Sequence, residues 1–151
     1  MRILIQRVQE GSVSIQDKTI SHIDQGLVVL LGIEDSDDEK DIDYLVKKLI
    51  NCRIFDDEDG IMNRSLFDLD GELLVVSQFT LQATTAKGNR PSYTKASKGD
   101  VARPLYEKFC SEASRLLGKK VATGQFGADM KVNIINDGPV TIWMDSKQKK
   151  Y

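Results

Sequence analysis

The run Leu27-Val28-Val29-Leu30-Leu31-Gly32-Ile33 carries no polar side chain, so as a strand it has to be covered on both faces. It is far shorter than the roughly 20 apolar residues that a membrane-spanning helix needs. The chain must therefore place this strand inside a sheet with material above and below it. The segments before it alternate as half-buried strands do. Ile3, Ile5 and Arg7 point one way and Leu4, Gln6 and Val8 the other; Val13 and Ile15 continue the pattern after Glu10-Gly11, which reads as a hairpin turn. A short strand is expected over 19–23, ahead of the Gln25-Gly26 turn.

Cover comes from two amphipathic segments. Ser36-Asp37-Asp38-Glu39 fits a capping box, and Ile42, Leu45, Val46, Leu49 and Ile50 follow at helical spacing, which predicts a helix over 37–51. A second helix is expected from Asp100, as N-cap, to Gly118, with Leu105, Phe109, Ala113 and Leu116 on one face and Pro104 in its first turn. Between the helices, a Gly60-containing acidic loop and an Asp70-Gly71 turn lead into a strand over 72–78, and 84–98 forms a long loop. Strands at 121–123, 131–136 and 140–145 close the chain. The expected fold is α/β, with layered sheets covered by two helices on one side and a parallel component where the helices cross over.

At 151 residues the chain matches one domain, 1–151, that buries about two-thirds of its unfolded surface. With 40% hydrophobic and 29% charged residues it is neither disordered nor fibrous in type. Arg2, Gln6 and Arg7 interrupt the N-terminal apolar pattern, so no signal peptide is read and the cytoplasm is the default address. Cys52 and Cys110 lack a CxxC partner and read as reduced, packed thiols. With those two cysteines and one histidine, the usual zinc sets cannot be assembled, so no metal or cofactor is expected. The net charge of −2 argues against nonspecific nucleic-acid binding driven by overall charge. Two basic clusters, Lys87, Arg90, Lys95 and Lys98, and Lys147, Lys149 and Lys150, are either solvated runs or phosphate-contacting edges.

Two short stretches carry the chemistry. Ser77-Gln78-Phe79-Thr80-Leu81 places two hydroxyls, an amide and several backbone N–H groups where the apolar run Leu73-Leu74-Val75-Val76 stops. These groups either cap the strand end or form an oxyanion site, with Thr80 positioning water or acting as nucleophile. Asn136-Asp137-Gly138-Pro139-Val140-Thr141 puts a Gly-Pro bond between two expected strands. His22, the single histidine, reads as an ordinary partly exposed residue, so a Ser-His-Asp triad is weakly supported. The acidic residues fall in solvated runs, which leaves no carboxylate pair to nominate.

At these residues the chain closely resembles the D-aminoacyl-tRNA deacylase family. Ser77-Gln78-Phe79-Thr80 is similar to its SQxT motif and Asn136 to Thr141 to its NxGPVT motif. Gly124-Gln125-Phe126-Gly127-Ala128-Asp129-Met130 and the opening Met1-Arg2 with Gln6-Arg7-Val8 also match, so the resemblance spans essentially the full length. It implies a barrel-like β arrangement with two helices. It also implies hydrolysis of the ester joining a D-amino acid, or glycine mischarged on tRNA(Ala), to the 3′-terminal adenosine of tRNA, with L-aminoacyl-tRNA rejected. The resemblance further implies a homodimer in which a cis Gly138-Pro139 enters the partner's site and excludes L side chains sterically. Ser77, Gln78, Phe79 and Thr80 would then line the catalytic pocket, with the Phe79 and Thr80 N–H groups as oxyanion donors and, in one variant, the ribose 2′-OH helping to activate water. Arg7 is either the tether of the Gly-Pro loop or a charged residue at a strand edge. Phe126 and Met130 are either walls of the adenosine pocket or core. The competing readings are a noncatalytic aminoacyl-tRNA binding module and a general esterase acting covalently through Ser77 or Thr80.

Overall fold

The computed structural model describes residues 1–150. Strand β1 (Arg2–Ile15) is its axis. β2 (Lys18–Ile23) pairs antiparallel with the second half of β1, β3 (Gly26–Gly32) with the first half, and β8 (Lys131–Asp145) with nearly all of it. Helix α1 (Glu39–Ile50) and the small hairpin β4 (Phe55–Asp56) and β5 (Met62–Arg64) follow β3. β6 (Glu72–Ser77) then returns parallel to β3. A 3-10 turn (Phe79–Gln82) and helix α2 (Gly99–Leu117) lead to β7 (Ala122–Thr123), parallel to β6. The strand order β2-β1-β3-β6-β7, with β8 on β1, makes a nearly closed, barrel-like sheet with two helices, as expected.

The buried strand explains the two cores. In the β3–β6 ladder, Leu27, Val29 and Leu31 alternate with Val28, and Leu73 and Val75 with Leu74 and Val76. The first set joins the helix-side core with Ile42, Leu45, Leu49, Phe109 and Ala113. The second joins Val8, Val13 and Ile23 on the opposite face. Each fully buried Leu, Ile or Val contributes about 1.5–3 kcal/mol of transfer free energy.

Several local expectations need correction. The hairpin turn is at Gln16-Asp17, not Glu10-Gly11: both residues take positive φ, 49° and 61°, and Ile15 faces Lys18 across a two-residue loop. Gly11 instead marks a close approach inside β1, because a Cβ there would stand 2.5 Å from Val28 Cγ2. The capping box of α1 is two residues later than expected. Asp38 accepts from the Lys40 and Asp41 N–H groups, and Asp41 accepts from the Asp38 N–H, while the Ser36 hydroxyl donates to Glu34. Helix α2 starts at Gly99, with Lys98 as a cap that makes no side-chain bond, so Asp100 is in the first turn and Pro104 inside the helix. Its buried face, Ala102, Tyr106, Phe109, Cys110, Ala113 and Leu117, is turned about one residue from the expected one. The two expected final strands are one, β8, interrupted opposite Arg7. Asn136 pairs with Val8 and Thr141 with Gln6, so the residues between them bulge out of the ladder.

Cys52 and Cys110 are free thiols; burial raises both above the ordinary range, Cys110 to about 12. Among the described residues no helix is long and apolar enough to cross a membrane.

Candidate active site

β6 ends at Ser77, and its parallel neighbour β3 fixes what comes next. The Gln78 N–H donates to the Leu31 carbonyl at 2.7 Å, and the chain then folds into the 3-10 turn across the end of β3. Gly32 makes that crossing possible, since a Cβ there would lie 2.8 Å from Leu81 Cβ and 3.0 Å from the Gln78 carbonyl oxygen. Two side chains pin the turn. Gln82, fully buried, donates from Nε2 to the Gly32 carbonyl at 3.1 Å; Arg2 donates to the Leu81 carbonyl at 3.0 Å and to Asp145 at 2.8 Å. Among the described residues, neither the Phe79 nor the Thr80 N–H finds a backbone carbonyl, as befits the first residues of a helical turn. The Gln78 amide donates to the Thr80 hydroxyl at 2.5 Å.

This turn borders a cavity of about 410 Å³. Ser77, Gln78 and Phe79 form one wall, Ser97, Gly99 and Ala102 at the start of α2 another, and 126–130 a third. Phe126 and Met130 are thus wall and core at once: Phe126 packs on Tyr106 at 5.7 Å between ring centres, and Met130 packs against the second core. Tyr106 donates to the Val75 carbonyl at 2.8 Å, and burial pushes its phenol well above the ordinary value, so it stays a neutral donor. Asp129 is the one titratable side chain on the wall among the described residues. Chemistry in this cavity therefore has backbone N–H groups, hydroxyls, an amide and one carboxylate to draw on.

Thr80 does not line the cavity; its hydroxyl is taken up by Gln78. Gly138 and Pro139 are also off its wall, exposed on the β8 bulge, and the bond between them is cis. Arg7 holds that bulge. Although only 7% exposed, it donates from Nε to the Asp137 carbonyl at 3.0 Å and from Nη1 to the Ile54 carbonyl at 2.7 Å, with Asp56 at 3.3 Å. Of the two readings of Arg7, the geometry is that of a tether. His22 stands apart on β2, 3.5 Å from Glu10, with no place on the cavity wall.

Sequence reasoning did not bring the start of α2 into the site. Ser97 was within reach of it, as the end of a long loop that reads as functional. Its hydroxyl is buried at the cavity without a hydrogen-bond partner among the described residues, while its N–H donates to the Ile33 carbonyl. The C-terminal basic cluster is largely committed within the chain. Lys147 donates to Asp41 at 2.7 Å, and this ion pair raises its pKa; it also donates to the Ser36 carbonyl at 3.0 Å, and Lys149 lies over the Tyr44 ring.

Residues 4–145 match the family model described as D-Tyr-tRNA(Tyr) deacylase. A D-aminoacyl-tRNA deacylase of Bacteroides thetaiotaomicron is 58% identical over 99% of this chain and 100% of its own length; that of Flavobacterium psychrophilum is 59% identical with the same coverage. Among solved structures, a c-Myc DNA unwinding element binding protein superposes with a TM-score of 0.92 at 39% identity, covering 96% of this chain and 98% of that one. A probable eukaryotic D-amino acid tRNA deacylase superposes at 0.82 with 20% identity, a likeness of fold. By sequence over its whole length, and with the motif residues Ser77, Gln78 and Phe79 gathered at one cavity, the chain belongs to the D-aminoacyl-tRNA deacylase family.

Proposed function

We propose that the cavity bordered by Ser77, Gln78 and Phe79 holds the ester of an aminoacylated tRNA 3′ end, and that Gly138-Pro139 of a second copy closes it as a chiral wall. As a family member the protein is a D-aminoacyl-tRNA deacylase, an ester hydrolase. The residue roles, the rejection of L-aminoacyl-tRNA, the acceptance of glycine on tRNA(Ala), the homodimer and a single domain over 1–151 are our own reading.

The observation that carries it is a separation. The unpaired Phe79 and Thr80 N–H groups lie on the 3-10 turn, whereas Gly138-Pro139 is exposed, tethered by Arg7 and absent from its own chain's cavity. A loop held rigidly outward can serve a neighbour's site. In this mechanism the Phe79 N–H, from a residue on the cavity wall, stabilises the charge that develops on the ester carbonyl oxygen as water attacks, with the Thr80 N–H next to it on the turn. Removing one such donor typically costs about 10²–10³ in kcat. Phe126 and Met130 flank the terminal adenosine. The carbonyls of the partner's Gly-Pro segment leave room for hydrogen or a D side chain and collide with an L side chain, so selectivity is steric. With no histidine on the wall, and with the Thr80 hydroxyl held by Gln78 off the cavity lining, activation of water falls to the ribose 2′-OH of the substrate.

Turnover of D-tyrosyl-tRNA and L-tyrosyl-tRNA tests this reading: the D ester is released as free amino acid and intact tRNA, and the L ester persists. Equal survival of the two esters would overturn the enzyme assignment and favour the binding-module reading. An acyl-enzyme trapped on Ser77 or Thr80 would favour the covalent esterase.

A further inference from the structure

We propose that the loop between the 3-10 turn and helix α2 is the surface on which the tRNA lays the phosphates just upstream of its terminal adenosine, with the exposed Phe79–Tyr93 pair as a stacking platform for an unpaired base. The inference rests on the cavity being the ester site.

Residues 79–99 contain Lys87, Arg90, Lys95 and Lys98 and no Asp or Glu, in a chain whose net charge is −2. All four cations are exposed, and none forms an ion pair among the described residues; other exposed cations such as Lys18, Lys40 and Arg64 are unpaired too, so what sets this strip apart is that no acidic residue is interleaved with its cations. The carboxylates brought alongside are Glu34, bridged to Ala96 and occupied by Ser36, Asp100 at the start of α2, and Asp129 on the cavity wall. Both ends of the loop reach the cavity, through Phe79 on one side and Ser97 and Gly99 on the other. A polyanion entering the cavity end-first therefore meets this strip next.

The loop also has internal order. Thr84 and Ser92 exchange both backbone hydrogen bonds at 2.9 Å, the Ala96 N–H donates to the Tyr93 carbonyl, and the Ser97 N–H to the Ile33 carbonyl. Phe79 and Tyr93 meet edge to face with ring centres 5.1 Å apart, yet remain 56% and 41% exposed. Exposed aromatic faces beside unpaired cations suit single-stranded RNA, whose bases stack without sequence demand while Lys and Arg take the phosphates. Nothing in this arrangement reads base edges, so the contact is expected to be general across tRNAs.

The test compares the parent with a Lys87→Gln/Arg90→Gln/Lys95→Gln chain. KM is measured for D-tyrosyl-tRNA and for D-tyrosyl-adenosine, and affinity for uncharged tRNA is measured directly over a series of salt concentrations. The expected result is a rise in KM for the tRNA ester of about tenfold or more at low salt, with kcat little changed. The loss is confined to the long substrate, and the dependence of log affinity on log salt becomes shallower by about one per phosphate contact removed. Tyr93→Ser adds a smaller, salt-independent loss. Equal losses for both esters, or an unchanged salt dependence, would overturn the surface. Weakened tRNA binding in the triple variant alongside a parent that releases neither ester would support the surface and count against the hydrolase reading, so the two failures are distinguishable.

Discussion

Arg7 ties together parts of the chain that are far apart in sequence. It sits opposite the interruption in β8 and satisfies carbonyls from two separate segments, Ile54 and Asp137. Arg7→Ala leaves both acceptors without their partner, and an orphaned buried acceptor costs about 1–3 kcal/mol. Arg7→Lys keeps the charge but replaces a planar fork by a single flexible ammonium, which cannot reach both carbonyls in the same geometry. The expected outcome is a graded split. Thermal unfolding is lowered most in Arg7→Ala. Arg7→Lys keeps most of its D-ester turnover but hydrolyses the L ester faster, because the residue before Gly138 is no longer fixed. An unchanged ratio of D to L rates in Arg7→Lys would show that the tether has no part in selectivity. The residue pattern offered Arg7 as tether or strand-edge charge. Nothing local could separate these, because its acceptors lie 47 and 130 residues away.

At the scale of the elements, the glycines mark where the fold leaves no room, and they fall into two kinds. A Cβ on Gly26 would stand 1.9 Å from the backbone oxygen of Glu72, where β3 and β6 begin their parallel ladder. Backbone cannot step aside, so Gly26→Ala is expected to cost more than the roughly 1–3 kcal/mol typical of overpacking, read as a lower denaturant midpoint. A Cβ on Gly124 would instead meet the Met130 sulfur at 2.6 Å, the flexible end of a side chain on the cavity wall. Gly124→Ala is therefore expected to unfold near the parent's midpoint but to raise KM for the aminoacyl ester. If both variants behaved alike, the distinction between fold and cavity glycines would be wrong. The same logic shows what was legible. The two-faced apolar strand, the β6 strand, both helices and the Gly118 stop follow from local periodicity and local chemistry. Gly11 and Gly138-Pro139 misled that reading, since Gly marks turns, bulges and close approaches alike. Only Val28 above Gly11, and β1 running uninterrupted beside β8, show that β1 does not turn at Gly11 and that β8 is a single strand. Ser77 to Phe79 could be nominated from sequence because the motif is contiguous, and they do line the cavity. Ser97, Gly99 and Ala102 were not, because they join it through the packing of α2.

The whole molecule ties its first and last strands together through Arg2 and Asp145, and that tie is sensitive to acid. Burial alone would raise the Asp145 carboxyl, but the Arg2 guanidinium and the Lys147 and Gln148 N–H groups outweigh it and hold the carboxyl below its ordinary value. A folded pKa below the unfolded value, about 3.9, means that the stabilisation is present above that pH and is lost as pH falls through the folded value. Asp37 works in the opposite sense, since burial raises it. The comparison with Asp145→Asn isolates the first effect: the variant is less stable than the parent at neutral pH, and the difference in unfolding temperature shrinks as pH drops below about 4. A constant difference would mean that Asp145 acts through packing alone. In the proposed dimer, one chain's Gly138-Pro139 completes another chain's cavity. Two altered chains test it. Gly99→Trp fills the cavity from the start of α2, where an added Cβ would meet nothing nearer than Phe126 at 3.7 Å, and leaves the loop intact. Pro139→Ala leaves the cavity intact and alters the loop. Alone, the first is expected to be inactive and the second to hydrolyse D and L esters alike. In a purified hybrid of the two, the one working cavity faces the one intact loop if the loop acts across the interface, so the hybrid releases D esters and spares L esters. If the loop served its own chain, the working cavity would carry its own altered loop, and the hybrid would be as unselective as Pro139→Ala alone.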